Sequence, residues 1–258
     1  NLQALLPATV EFHPGKTTSE TILFNLRGKD LQDSQGEKQV ITFNMKAKKL
    51  STLDPQTEIR ETPIIVTACY KYRTSASAEV CIDTDIFGFK ERQKVCEVKT
   101  VELKDQGAPL AVKKVELQMA PAKGKPGFTQ PQFIITVENI AKGEVIQGDF
   151  ETIKGACSSE PVGYRKWNKV DVKTYLIDRD GVRDQLNCNL AEDIDFPRVN
   201  SLDGVMLLKG KTDKIRCKTK ELIREDEGTY LTPLFIELDY GYTESISRTI
   251  KIKKSLTY

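Results

Sequence analysis

The sequence predicts an all-β chain arranged as two tandem antiparallel β-sandwiches. Three observations point there. Apolar and polar residues alternate with period two along most of the chain, turn residues recur between the alternating runs, and one passage occurs twice. Ile41, Phe43, Met45 and Ala47 alternate with Thr42, Asn44 and Lys46. Phe133, Ile135 and Val137 alternate with Thr136 and Glu138, and Val170, Val172, Thr174 and Leu176 alternate with Asp171 and Lys173. Such spacing places successive side chains on opposite faces of a half-buried strand. Between the runs lie Pro14-Gly15, Gly36, Gly107, Gly124 to Gly127, Asp180-Gly181, Asp203-Gly204 and Glu227-Gly228, residues that supply the backbone angles of turns. No segment of twelve or more residues repeats at helical period, and residues 190–194 are the best short helix candidate.

Residues 62–82 (TPIIVTACYKYRTSASAEVCI) and 232–252 (TPLFIELDYGYTESISRTIKI) align without a gap at an offset of 170. Tyr70 and Tyr72 match Tyr240 and Tyr242, and Ser75 and Ser77 match Ser245 and Ser247. Each copy reads as a hairpin that closes one module, so a first domain is expected over residues 1–96 and a second over 97–258. Cys69 aligns with Asp239 and Cys81 with Lys251, all off the apolar face by parity. A cross-strand disulfide in one copy would then correspond to an Asp–Lys pair in the other.

Six cysteines are dispersed: Cys69, Cys81, Cys96, Cys157, Cys188 and Cys217. No CxxC pair exists, which argues against zinc ribbons and thioredoxin-like motifs. An even, dispersed set suits disulfides formed in an oxidising compartment. Cys69 with Cys81 is the first pairing expected, then Cys188 with Cys217, leaving Cys96 with Cys157; Cys81 with Cys96 is a rival.

The chain has 258 residues, 39 basic and 37 acidic, for a net charge of +2. No large positive field exists to draw nucleic acid or an anionic membrane. No apolar run is long enough to span a bilayer, and the uncharged residues 1–10 lack the basic start and cleavage site of a signal peptide. His13, in a Pro-Gly turn, is the only histidine, so histidine-based triads and multi-histidine zinc sites are not expected. Neither a P-loop nor a dinucleotide-binding glycine motif occurs. No catalytic residue, cofactor or metal site is expected. Three acidic clusters offer oxygen ligands for calcium: Asp178, Asp180 and Asp184; Asp83 and Asp85; and Glu192, Asp193 and Asp195. Solvated loops are the default for all three. Trp167, with Tyr164 and Arg165, reads as a core or loop anchor before it reads as a carbohydrate or partner contact.

Residues 132–145 (QFIITVENIAKGEV) resemble the early strand of CARDB-like and related immunoglobulin-like modules, in which an F-x-I-x-V-x-N strand runs into a glycine-containing turn. The paired CYKY…AEVCID and LDYGY…TIKIK passages look like those of archaeal secreted or surface-anchored proteins built from such modules. In the first domain the nearest counterpart of the motif is Phe24 to Gly28. The resemblance implies immunoglobulin-like sandwiches that serve adhesion, scaffolding or assembly at the cell surface.

The expectation is therefore an extracellular, non-enzymatic subunit of a filament or surface layer, partnered by copies of itself or by other cell-surface proteins. The uncharged opening residues, with Leu2, Leu5, Leu6 and Val10, would be laid into a neighbour's sheet edge by β-augmentation. An ordinary first strand in its own domain is the simpler reading of that segment. A secreted adhesin that recognises glycan or protein is the alternative function.

Overall fold

The computed structural model describes residues 2–6, 22–26, 37–40, 58–88, 94–158, 162–177, 181–188 and 204–253. Their strands form two antiparallel sheets, and the fold is all-β. The chain divides into two compact units, each assembled from separated stretches. One holds Asn1–Tyr72, Gly143–Trp167 and Gly241–Tyr258; the other holds Arg73–Lys142 and Asn168–Tyr240. The expected boundary at residues 96 and 97 is thus corrected. The two copies of the repeat do not close two modules in turn, because each copy is a single long strand that runs from one unit into the other.

Those strands are β3 (Ile59–Asp83) and β14 (Thr229–Lys253), and they are neighbours in one sheet. The expected hairpins do not exist. A tight hairpin turn needs residues that accept positive φ, and no residue within either strand has one. Within the first unit Glu61 meets Lys251, Thr67 meets Ser245, and Tyr70 lies against Tyr242. Within the second, Arg73 meets Asp239 and Thr229 meets Asp83. Each advance along β3 equals the retreat along β14, which fixes an antiparallel register. The expected pairing of Asp239 with Lys251 is replaced by these two separate ion pairs.

The second unit is a β-sandwich. One layer joins its parts of β3 and β14 to β8 (Lys169–Ile177), β9 (Arg183–Gln185) and β11 (Gly204–Leu207). The other follows the order β10 (Asn187–Cys188), β12 (Thr212–Lys218), β6 (Phe128–Asn139), β5 (Leu110–Pro121) and β4 (Val101–Glu102), with β13 (Ile223–Arg224) also on β6. The β5–β6 hairpin carries the predicted turn, where Gly124 and Gly127 both adopt positive φ. Alternation places Val80, Ile82, Leu110, Ile135, Val172 and Leu238 in the buried interior. Burial of such side chains stabilises a fold by ~1.5–3 kcal/mol each. Tyr240, wholly buried, supplies a polar link between the layers. Its hydroxyl accepts the Leu110 amide at 3.1 Å. Thr74 Oγ1 spends its one proton on the Leu110 carbonyl at 2.8 Å, so Tyr240 donates to Thr74 at 3.1 Å. No group in this trio is left unpaired, as a buried polar cluster requires.

In the first unit, β1 (Leu2–Leu6) lies between β2 (Ile22–Leu26) and β3. The rest of its described structure is β7 (Glu144–Ile146), the helix α1 (Phe150–Ala156), a one-turn helical segment at Tyr164–Lys166, and the remaining parts of β3 and β14. The period-two survey did not anticipate α1; it is too short to show helical periodicity. The proposed helix at 190–194 lies outside the described residues.

Candidate functional site

Three disulfides use all six cysteines. Cys188 bonds Cys217 as expected, directly across the β10–β12 pair. The other two correct the expectation: Cys69 bonds Cys157, and Cys81 bonds Cys96, the rival pairing. Cys69 and Cys81 stand on one continuous strand, twelve residues apart along its length, and an extended chain at ~3.4 Å per residue keeps them far out of bonding range.

The Cys69 to Cys157 bond organises the region that holds the predicted assembly residues. β1 pairs with β2 along its whole length, from Leu2 opposite Leu26 to Leu6 opposite Ile22. With β3 it shares two positions, Ala4 opposite Tyr70 and Leu5 opposite Cys69. Leu2, Leu5 and Leu6 therefore occupy a strand of their own sheet; Val10 lies outside the described residues. The half-cystine opposite Leu5 is itself buried, and its partner Cys157 caps the C-terminus of α1. Ile146 of β7 and Ile153 of α1 pack with the two cysteines in one cluster, and Ala156 and Trp167 lie against it.

The stretch Gly143–Trp167 reaches this place because β7 pairs with β14, Ile146 opposite Gly241. Gly241 admits no larger residue: a Cβ there would stand 2.7 Å from Ile146 Cγ1 and 2.9 Å from the Gln147 carbonyl. Asp149 starts α1. Its carboxylate accepts the Thr152 hydroxyl at 2.7 Å and the Thr152 amide at 2.9 Å, with Lys166 Nζ at 3.8 Å. Burial works to raise the Asp149 carboxyl, but those hydrogen bonds and the lysine prevail and hold it below the ordinary aspartate value. Such a cap contributes ~1 kcal/mol.

Trp167 is an anchor, as its first reading had it. Its indole packs on the disulfide cluster, and its N–H donates to the Val162 carbonyl at 3.4 Å. Tyr164, by contrast, is 79 % exposed and carries the Arg165 guanidinium 5.6 Å from its ring centre. Phe150, at the start of α1, is also exposed. Sequence reasoning did not single out Phe150, because neighbouring alternation gives no signal in a seven-residue helix.

The acidic clusters fare differently. Asp83 and Asp85 face the Lys94 ammonium at 2.7 and 4.0 Å, so a cation of the chain's own occupies that site. Asp184 sits in β9 opposite Leu176. Asp178, Asp180, Glu192, Asp193, Asp195 and His13 lie outside the described residues. Among the described residues no three His, Cys, Asp or Glu side chains converge in a metal-binding group, and no helix is long and apolar enough to cross a membrane.

The fold and its cross-links define the class: a disulfide-bonded, all-β protein of two units, one a β-sandwich. The chain matches no family model, no curated protein and no solved structure.

Proposed function

We propose that this chain is a non-enzymatic structural subunit of an extracellular filament or cell-surface assembly. The observation that carries the reading is the place of β1. An uncharged five-residue strand lies in the ladder between β2 and β3. A strand supplied by a second copy would make the same hydrogen bonds in the same slot, which is the low-cost route by which identical chains exchange elements. Three disulfides favour an oxidising compartment and suit a material that must endure outside the cell. Electron microscopy of native material tests the reading together with removal of residues 1–10. The full chain should form regular assemblies. The shortened chain should form no filament or other regular assembly and should recover β-structure when a synthetic peptide of residues 1–10 is added. A regular assembly larger than a dimer that persists without the segment overturns the proposal.

A second reading, a secreted binding module for glycan or protein, draws on the exposed Tyr164, Arg165 and Phe150 of one unit. Under that reading the full chain stays monomeric, and Tyr164→Ala abolishes capture of the ligand.

A further inference from the structure

In the first unit β14 has β3 along one side. On its other side, β7 covers only Gly241, Tyr242 and Thr243. From Glu244 to Lys253 no described residue pairs with that second side. Ser245, Ile246, Ser247, Arg248 and Thr249 are all exposed, so both faces of the strand meet solvent there, and Ile246 is 64 % exposed. A row of unpaired amides and carbonyls along such a strand is a template for another strand.

We infer that this edge pairs with the same edge of a second copy of the chain, antiparallel and about a two-fold axis through Thr249. The residues themselves favour this occupant and register. A two-fold axis perpendicular to the sheet keeps each face on its own side, so it sets opposite one another only residues of like parity. Centring on Arg248 or on Lys251 would oppose two like charges, which destabilises a ladder. Centring on Thr249 opposes none, and among the registers free of like-charge pairs, those about Ile246, Ser247 and Ile250 included, only that about Thr249 sets aliphatic pairs on both sides of the axis. Arg248 then faces Ile250, Ser247 faces Lys251, and Ser245 faces Lys253. Ile246 faces Ile252 twice, once on each side of the axis, and the two threonines meet at the centre. Threonine pairs and aliphatic pairs are both favourable across strands.

The β3 register extends the argument one strand further. It sets Val66 opposite Ile246 and Ile64 opposite Arg248, with Thr62 opposite Ile250. The dimer would therefore join Ile64, Val66, Ile246, Ile250 and Ile252 of both copies on one face of a four-stranded ribbon. An isolated two-stranded ribbon is marginal in water, whereas one of three or more strands with an apolar face holds. The contact is isologous: the same patch serves on both partners. It is distinct from β1 and does not require that β1 be exchanged.

Engineered cysteines test the inference, because every native cysteine is already in a disulfide. Thr249→Cys places its thiol opposite its own copy, with Cβ atoms ~4.5–5.5 Å apart. Mild oxidation of the full chain should give a covalent dimer. Ser247→Cys is the control; its copy lies four residues along, ~14 Å away, and should stay unlinked. Thr249→Lys opposes two ammonium groups at the axis and should weaken self-association by about tenfold or more in sedimentation equilibrium. Equal linking of the two cysteine variants, or a full chain that sediments as a monomer unaffected by Thr249→Lys, overturns the inference. Repeating the Thr249→Cys experiment after removal of residues 1–10 separates this contact from exchange of β1, since the covalent dimer should persist.

Discussion

β3 and β14 each behave as two different strands laid end to end. In the sandwich unit their side chains alternate cleanly: Thr74, Ala76, Ala78, Val80 and Ile82 are buried on β3, as are Leu234, Ile236 and Leu238 on β14. In the other unit the same strands blur into half-buried and exposed positions, and residues 245–249 are exposed on both faces. Intrinsic strand preference does not account for this, since the apolar positions repeat almost residue for residue between the copies. What differs is the second layer. β5, β6 and β12 cover one half, whereas among the described residues only α1 lies over the other, near its start. Alternation specifies which face is apolar; burial follows only where another element covers that face.

That contrast can be broken by substitution. Leu238→Ala, at a fully buried position, should cost about 2–5 kcal/mol in denaturant-induced unfolding. Ile246→Ala, at the exposed end of the same strand, should change stability by less than about 0.5 kcal/mol at concentrations where the chain is monomeric. Comparable losses at both would show that the exposed half is covered after all. The covalent tie is next in size. Replacing Cys69 and Cys157 together by serine should cost about 2–4 kcal/mol in the same measurement, and amide exchange should quicken first in α1 and β7. A uniform acceleration across both sheets would mean the bond does not act locally.

The smallest effect sharpens the comparison through pH. The folded Asp149 carboxyl lies below its ordinary value. Its contribution is therefore present above the unfolded pKa of about 3.9 and is lost as pH falls through the lower folded value. Asp149→Ala should cost about 1 kcal/mol at neutral pH and much less in acid strong enough to protonate the folded carboxyl. A variant equally destabilised at both pH values would place the effect in packing rather than in the cap.

Much of the fold was legible in the sequence, and the failures have definite causes. The repeat correctly marked β3 and β14 as related, yet it was read as two hairpins. The sequence itself argues against hairpins: Tyr70, Tyr72, Ala78, Val80 and Ile82 keep one parity throughout, and no turn residue interrupts them. A reversal normally resets that phase. Pairing Cys188 with Cys217 succeeded because both lie in adjacent strands of recognisable pattern. Cys69 with Cys157 was out of reach, because it joins a strand to a short helix whose seven residues are fixed by a cap and a disulfide rather than by apolar period. The lack of charge around Leu2, Leu5 and Leu6 marks a segment to be covered but not by whom, and the structure places it between β2 and β3. The edge of β14 that no described residue pairs left no trace in composition, since an edge differs from an interior strand in its neighbours.

The interleaving of the two units also governs how the chain can be made. A ribosome or an export channel delivers residues in order, and domains of contiguous sequence fold as they emerge. Here neither unit is contiguous, and both take a share of the last strand. Until residue 240 has appeared the sandwich lacks a central strand, and the other unit must wait for the residues after it. Most of residues 1–228 is thus held back from its final form until Thr229–Lys253 has emerged.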